Sequence, residues 1–239
     1  MEKSKFERFI SKYNLGGSCE SVVLKSEGRT TTVRSISDDK NVLGEIVASS
    51  LDFPEGEFGI YDTKKLRSIL SVLEEQLTIA TQTSGDKVTA LNITDGSTKT
   101  TFVLADQSVI PTVPELKKLP PMDFTITLDA KFVNTFIKAK GALSEVETFT
   151  VMSDGNDNTA SVILGYAATN TNRIVITANT NTAVQMEPTS FSANYLREIL
   201  SANKEVTNGT LEISSKGLAK ASFEFDGTTA TYYLVQVKY

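Results

Sequence analysis

Half of the basic residues in this chain fall in four short segments that hold almost no acid. Residues 3–14, 64–73, 130–140 and 194–204 carry 12 of the 24 lysines and arginines, but only Glu7 and Glu198 of the 29 acidic residues. The four segments sum to +10 and everything else to −15, within a total of −5. A field arranged in this way attracts polyanions to one surface and repels them from the rest. Each segment has a helical period, so its charges can be placed on faces. Lys5, Arg8 and Lys12 share a stripe on the first; Lys64 and Arg67 on the second; Lys131 and Lys138 on the third; Arg197 and Lys204 on the fourth. Lys65 and Lys140 fall off these stripes. Ser68, Ser71, Asn134 and Ser201 lie between the charges, and no aromatic platform shares those faces. The chemistry is phosphate attraction without base readout. The plainer reading of any one stripe is a solvated helix face.

Other chemistries find little support. The chain has no histidine, which removes Ser-His-Asp and Cys-His catalysis and the commonest metal ligand. Cys19 is the only cysteine, so intrachain disulfides and cysteine-cluster metal sites are excluded. Asp154-Gly155-Asn156-Asp157-Asn158 starts like a calcium loop, but the sixth and twelfth positions hold Thr159 and Gly165 instead of Gly and Glu. A hairpin turn is expected there. Glu74-Glu75 reads as a helix terminus. The expectation is a protein that is not an enzyme and needs no cofactor or metal.

The elements that must position the cations come in two matching sets. Leu-Arg-x-Ile-Leu-Ser occurs at 66–71 and again at 196–201, each time followed by strand-like alternation. Lys5-Phe6 with Phe9-Ile10 is echoed by Lys131-Phe132 with Phe136-Ile137. The first helix should bury Phe6, Phe9, Ile10 and Tyr13 and end at Gly16-Gly17. The second is capped by Asp62 and has Leu66, Ile69, Leu70 and Leu73 as its apolar residues; the third is capped by Asp129 and buries Phe132, Phe136 and Ile137. The fourth buries Tyr195, Leu196, Ile199 and Leu200. Strands fill the intervals, so the fold class is α+β: two similar domains, each with two helices packed on antiparallel sheets.

The boundaries follow from composition. Residues 1–106 form the first domain, 107–122 a linker holding four of the six prolines, and 123–239 the second domain. No apolar leader and no run of about 18 apolar residues is present, so a cytoplasmic protein without a membrane role is expected.

These residues resemble the DNA sliding clamps. Asp52-Phe53, Phe58-Gly59-Ile60-Tyr61-Asp62 and Leu66 to Leu73 look like the first-domain segment of T4-type bacteriophage clamps. Tyr195 to Lys204, Gly217-Leu218-Ala219-Lys220 and Tyr232-Tyr233-Leu234 look like the second domain of eukaryotic and archaeal clamps (the PCNA type). The chain length is nearer to the phage clamps. The resemblance implies a pseudo-six-fold ring of domains, hence a homotrimer, with helices lining a hole around duplex DNA. It also implies a DNA polymerase and an ATP-dependent clamp loader as partners, in the host cytoplasm if the source is viral. By resemblance, partner peptides would bind at Ile36, Val42, Leu116, Leu119, Pro120 and Tyr233. The stretch Thr169 to Thr182 matches nothing in that family. A second reading stays open: a two-domain β-rich structural or receptor-binding protein with no DNA role.

Overall fold

In the computed structural model, which describes residues 1–49, 51–167 and 171–238, each of the four helices buries an apolar face. Helix α1 (Lys3–Asn14) buries Phe6, Phe9, Ile10 and Tyr13, and α2 (Thr63–Leu70) buries Leu66 and Leu70. Helix α4 (Ala193–Ala202) buries Leu196, Ile199 and Leu200. Helix α3 (Ala130–Ala142) departs by one position: Val133 is buried beside Phe132 and Phe136, and Ile137 is half-buried. Its inner face contacts strands on two sides as well as α4, which widens the stripe beyond the periodic positions. Tyr195 is also half-exposed, because its hydroxyl donates to the Asp39 carboxylate at 2.8 Å. Each large apolar side chain withdrawn from water contributes about 1.5–3 kcal/mol.

Caps set the helix starts. Asp62 accepts from Lys65 N, Asp129 from Phe132 N and Ser192 from Tyr195 N, each satisfying a donor that the helix cannot. Helix α1 lacks a cap of its own; the Glu75 carboxylate supplies it, accepting from Ser4 N at 3.1 Å. At its other end Leu15, Gly16 and Gly17 all take positive φ and turn the chain out of the helix. Leu15 adopts that left-handed conformation without glycine's freedom, and its fully buried side chain offsets the strain.

The strands form two sets with one topology. In the first half β1 (Val22–Glu27), β2 (Thr30–Ile36), β3 (Val42–Ala48) and β4 (Gly56–Ile60) lie in the order β4-β1-β2-β3, and β5 (Thr78–Ser84), β6 (Lys87–Thr94) and β7 (Lys99–Val103) in the order β5-β6-β7. In the second half β9 (Thr148–Asp154), β10 (Thr159–Leu164), β11 (Ile174–Asn179) and β12 (Gln185–Ser192) repeat the first arrangement as β12-β9-β10-β11. Strands β13 (Asn208–Ser214), β14 (Leu218–Phe225) and β15 (Thr228–Val235) repeat the second, with β8 (Phe124–Asp129) added alongside β13. The position of β8 is represented in the first half by a single antiparallel bridge, Glu2 to Gln76. Of Asp154–Asn158, Asp154 ends β9 and residues 155–158 form the turn of the β9–β10 hairpin. Within the Thr169–Thr182 stretch, Thr169 and Asn170 lie outside the described residues, and Ile174–Asn179 form β11.

By contact the chain divides into two compact units, one of residues 1–38, 44–114 and 226–230 and one of 39–43, 115–225 and 231–239. The proline-rich segment 107–122 is thus shared, its first part with unit one and its remainder with unit two. No helix among the described residues is long and apolar enough to cross a membrane.

Candidate nucleic-acid interface

In the first unit α1 packs beside α2, and the contact is built around Glu20. Its carboxylate accepts from Asn14 Nδ2 at 3.1 Å and from Lys64 N at 2.8 Å, while its carbonyl accepts from Thr63 N and Thr63 Oγ1. Tyr13, fully buried, shares a 3.3 Å hydrogen bond with the Thr63 hydroxyl, and burial pushes its own hydroxyl far above the usual tyrosine range. This network ties the end of α1 to the start of α2. Between them runs a groove of about 720 Å³, lined by Lys64, Arg67, Ser68 and Ser71 on one side and by Glu7 and Glu20 on the other.

The candidate cations of this unit are placed unequally. Arg8, Lys64 and Arg67 are exposed, with no carboxylate within ion-pair distance among the described residues. Lys5 is half-buried, its ammonium 4.0 Å from Glu2. Lys12 is only 4 % exposed and does not belong to an accessible stripe. The helical wheel puts it on the polar side, but the fold buries it at the end of α1.

In the second unit α3 packs beside α4, with Lys138 and Lys204 exposed. Lys131 is exposed as well, but it lines a separate cleft with Thr135 and the β11 residues Val175 and Thr177. Arg197 is forked onto its own neighbour Glu198, with Nε and Nη2 at 3.1 and 2.5 Å from one carboxylate oxygen. The corresponding residue beside Arg67 is Ser68, the variable position of the repeated hexapeptide. One residue therefore separates a guanidinium open to solvent from one already matched. Lys140 is 3 % exposed and donates to Ser144 O at 2.8 Å; burial, then the nearby Arg197 charge, lowers its pKa.

Of the residues considered for partner contact, Ile36, Leu119, Pro120 and Tyr233 are half-buried and Leu116 is exposed. Val42 is 1 % exposed, so it belongs to the core and offers nothing to a peptide. Glu20 and Glu75 are the positioning residues that sequence reasoning missed. They act on helices 44 and 71 residues away, and no local pattern marks such contacts.

Comparison of the whole chain with solved structures supplies the remaining observation. The structure of proliferating cellular nuclear antigen (PCNA) from Entamoeba histolytica matches over 99 % of this chain and 96 % of its own, with a TM-score of 0.76 at 16 % identity. PCNA from A. fulgidus, in a structure with the C-terminal region of FEN-1 bound, matches over 100 % and 97 %, with a TM-score of 0.73 at 14 % identity. The chain has the PCNA clamp fold. No protein-family model matches the sequence, and no curated protein does. At such low identity the clamp architecture is what the two proteins share with this chain, including two domains each carrying a pair of helices on antiparallel sheets.

Since Glu20 joins two helices through charge-assisted hydrogen bonds, Glu20→Ala should lower stability by about 1–2 kcal/mol. Urea unfolding followed by circular dichroism reads this, and an unchanged midpoint would show that Asp62 alone holds the start of α2.

Proposed function

We propose that this protein is a DNA sliding clamp: a homotrimeric, pseudo-six-fold ring that encircles duplex DNA and tethers a replicative polymerase. The observation that carries the reading is the repeated helix pair with exposed cations, Arg8, Lys64 and Arg67 among them having no carboxylate within ion-pair distance among the described residues, on a chain with the clamp fold. The cations act as weak, sequence-independent phosphate contacts. Persistence then comes from topology, which lets the ring slide. Six units require three chains of two units each. The sheet edges favour such closure: β7 and β11 are each the last strand of a sheet, with Val103 at 73 % and Val175 at 51 % exposure. Two unlike edges pair head-to-tail, and where the rotation between chains closes, such pairing gives a ring that leaves neither edge open.

The finer points belong to the same proposal. An ATP-dependent loader opens the ring, the clamp itself catalyses no reaction, and the length and first-domain likeness favour a T4-like phage acting in the host cytoplasm. The duplex-facing set comprises Lys5, Arg8, Lys64, Arg67, Lys138, Arg197 and Lys204, with Lys131 to the side. Ile36, Leu116, Leu119, Pro120 and Tyr233 supply the partner contact.

Retention on nicked circular DNA tests the ring directly. Loaded protein should stay on circles at moderate salt, leave when the circle is linearised, and migrate as a trimer in size-exclusion chromatography. Val103→Asp should convert it to monomers that circles do not retain. A wild-type monomer that binds short duplexes tightly would overturn encirclement; a protein that neither binds DNA nor stimulates a polymerase would favour the structural-protein alternative.

The two arginine environments make a paired prediction. Lys64→Glu with Arg67→Glu should weaken duplex binding and loading while changing stability by no more than about 0.5 kcal/mol. Glu198→Ser frees Arg197 and should strengthen binding to short duplexes, steepening the salt dependence by about one phosphate contact. If competition titrations at several salt concentrations show no difference between Glu198→Ser and wild type, Arg197 does not face the duplex.

For the partner contact, Leu119→Ala together with Tyr233→Ala should leave the trimer intact and abolish polymerase stimulation in a primer-extension assay. Dissociation into monomers, or normal stimulation, would place the contact elsewhere.

A further inference from the structure

On the first unit, the face of β1 and β2 turned away from the core holds two cross-strand pairs, Val23 opposite Arg34 and Lys25 opposite Thr32. These alternate with the buried Val22, Leu24 and Val33, so the sheet presents a mixed apolar and basic outer surface. Residues 107–114 pass over it as a strap anchored at both ends. At the near end Ile110 is buried, and Ala105 N donates to Gly59 O at 2.9 Å. The Ala105 carbonyl approaches so closely that a Cβ on Gly59 would lie 2.3 Å from its oxygen, so glycine is required there. At the far end Arg34 Nη2 donates to Pro114 O at 2.6 Å.

Strap and sheet enclose a cleft of about 320 Å³, the low end of the range for small-ligand sites. Its apolar lining comes from Val23, Ile110 and Val113, and its polar lining from Thr32, Gln107 and Arg34. The charges inside are not balanced. Lys25 is matched by Glu57 at 2.7 Å, and hydrogen bonds from Lys25 and then Gln107 hold the Glu57 carboxyl below its usual range. Arg34 has no such partner: its Nε is buried, and no group among the described residues accepts from it. Native structures rarely leave a buried donor in this condition without a ligand or water to satisfy it. A guanidinium that offers Nε and Nη side by side matches the two oxygens of a carboxylate.

We propose that this cleft binds a carboxylate carried on a short apolar group, with Arg34 taking the carboxylate and Val23, Ile110 and Val113 receiving the apolar part. The carboxylate comes either from a free small acid or from a partner segment threaded beneath the strap; both present the same chemistry. The site lies wholly within the first unit, and the proposal stands apart from the ring and its DNA.

The test titrates N-acetyl-L-leucine, and its neutral twin N-acetyl-L-leucinamide, into isotope-labelled full-length protein, following backbone amide signals. The acid should shift signals of residues 23–34 and 107–114 and saturate. The amide should bind at least about tenfold more weakly, and Arg34→Gln should reduce the acid's affinity at least about tenfold while leaving the amide's unchanged, each the loss of roughly 1.4 kcal/mol. Equal binding of acid and amide, no effect of Arg34→Gln, or no shifts at these residues would overturn the proposal. Should Arg34→Gln not fold, Arg34→Lys retains the charge without the fork and should weaken the acid alone; the acid–amide comparison on wild type decides independently. An octapeptide ending in a free leucine carboxylate, compared with its C-terminal amide, separates the sources. Tighter binding of the free-acid peptide than of N-acetyl-L-leucine assigns a partner segment, and binding of N-acetyl-L-leucine alone assigns a small acid.

Discussion

Each unit of this protein is closed by one strand contact, between the residues that enter its first helix and those that leave its second. In the second unit the contact is a full ladder, β8 against β13 over six residue pairs from Asn208–Asp129 to Ile213–Phe124. In the first it has shrunk to the Glu2–Gln76 bridge, with Lys3 N on Glu75 O and Leu77 N on Met1 O. Once the ends of the helix pair are joined in this way, the two helices of a unit are held side by side. Their apolar stripes then have one direction to face, and the cations have the other. The Glu75 carboxylate extends the closure by capping α1, so one short segment both pairs the strands and starts the helix.

The interactions that hold the fold and those offered to a polyanion are largely separate. Cohesion comes from aromatic and aliphatic packing, such as Phe136 edge-on to Phe149 at 5.6 Å and Phe53 edge-on to Phe58 at 5.2 Å. The exposed ion pairs contribute little, since such pairs are worth about 0–1 kcal/mol. Glu20 is the exception, a charged residue whose hydrogen bonds set the geometry of the α1–α2 groove from within. Its negative charge lines the same groove as Lys64 and Arg67 and moderates their pull on a polyanion.

Much of this was readable from the residues. The 3.6-residue period, the aspartates at 62 and 129 and the glycine pair at 16–17 are local signals, and they place the helix ends within three residues. The repeated hexapeptide gave the two-fold organisation, and the likeness to clamps gave the fold. What a helical wheel lacks is the surface on the other side of the side chain. Lys12 is polar by period yet covered, Val133 takes the place expected of Ile137, and Val42 lies in the core. Likewise, the caps from Glu20 and Glu75 and the cleft beneath residues 107–114 depend on segments far apart in the chain. No window of sequence contains them.

The variable residue of the hexapeptide has a consequence for symmetry. Ser68 leaves Arg67 unmatched, whereas Glu198 neutralises Arg197. In a six-unit ring the architecture repeats six times around the hole, but the electrostatic potential of its wall repeats only three times. In the ring proposed above, a helical polyanion turning inside such a wall would meet alternating deep and shallow wells, so its preferred orientations would follow the number of chains and not the number of domains. In the proposed ring, Ser68 against Glu198 would be one of the differences that set the barrier between neighbouring wells, and with it the friction of sliding.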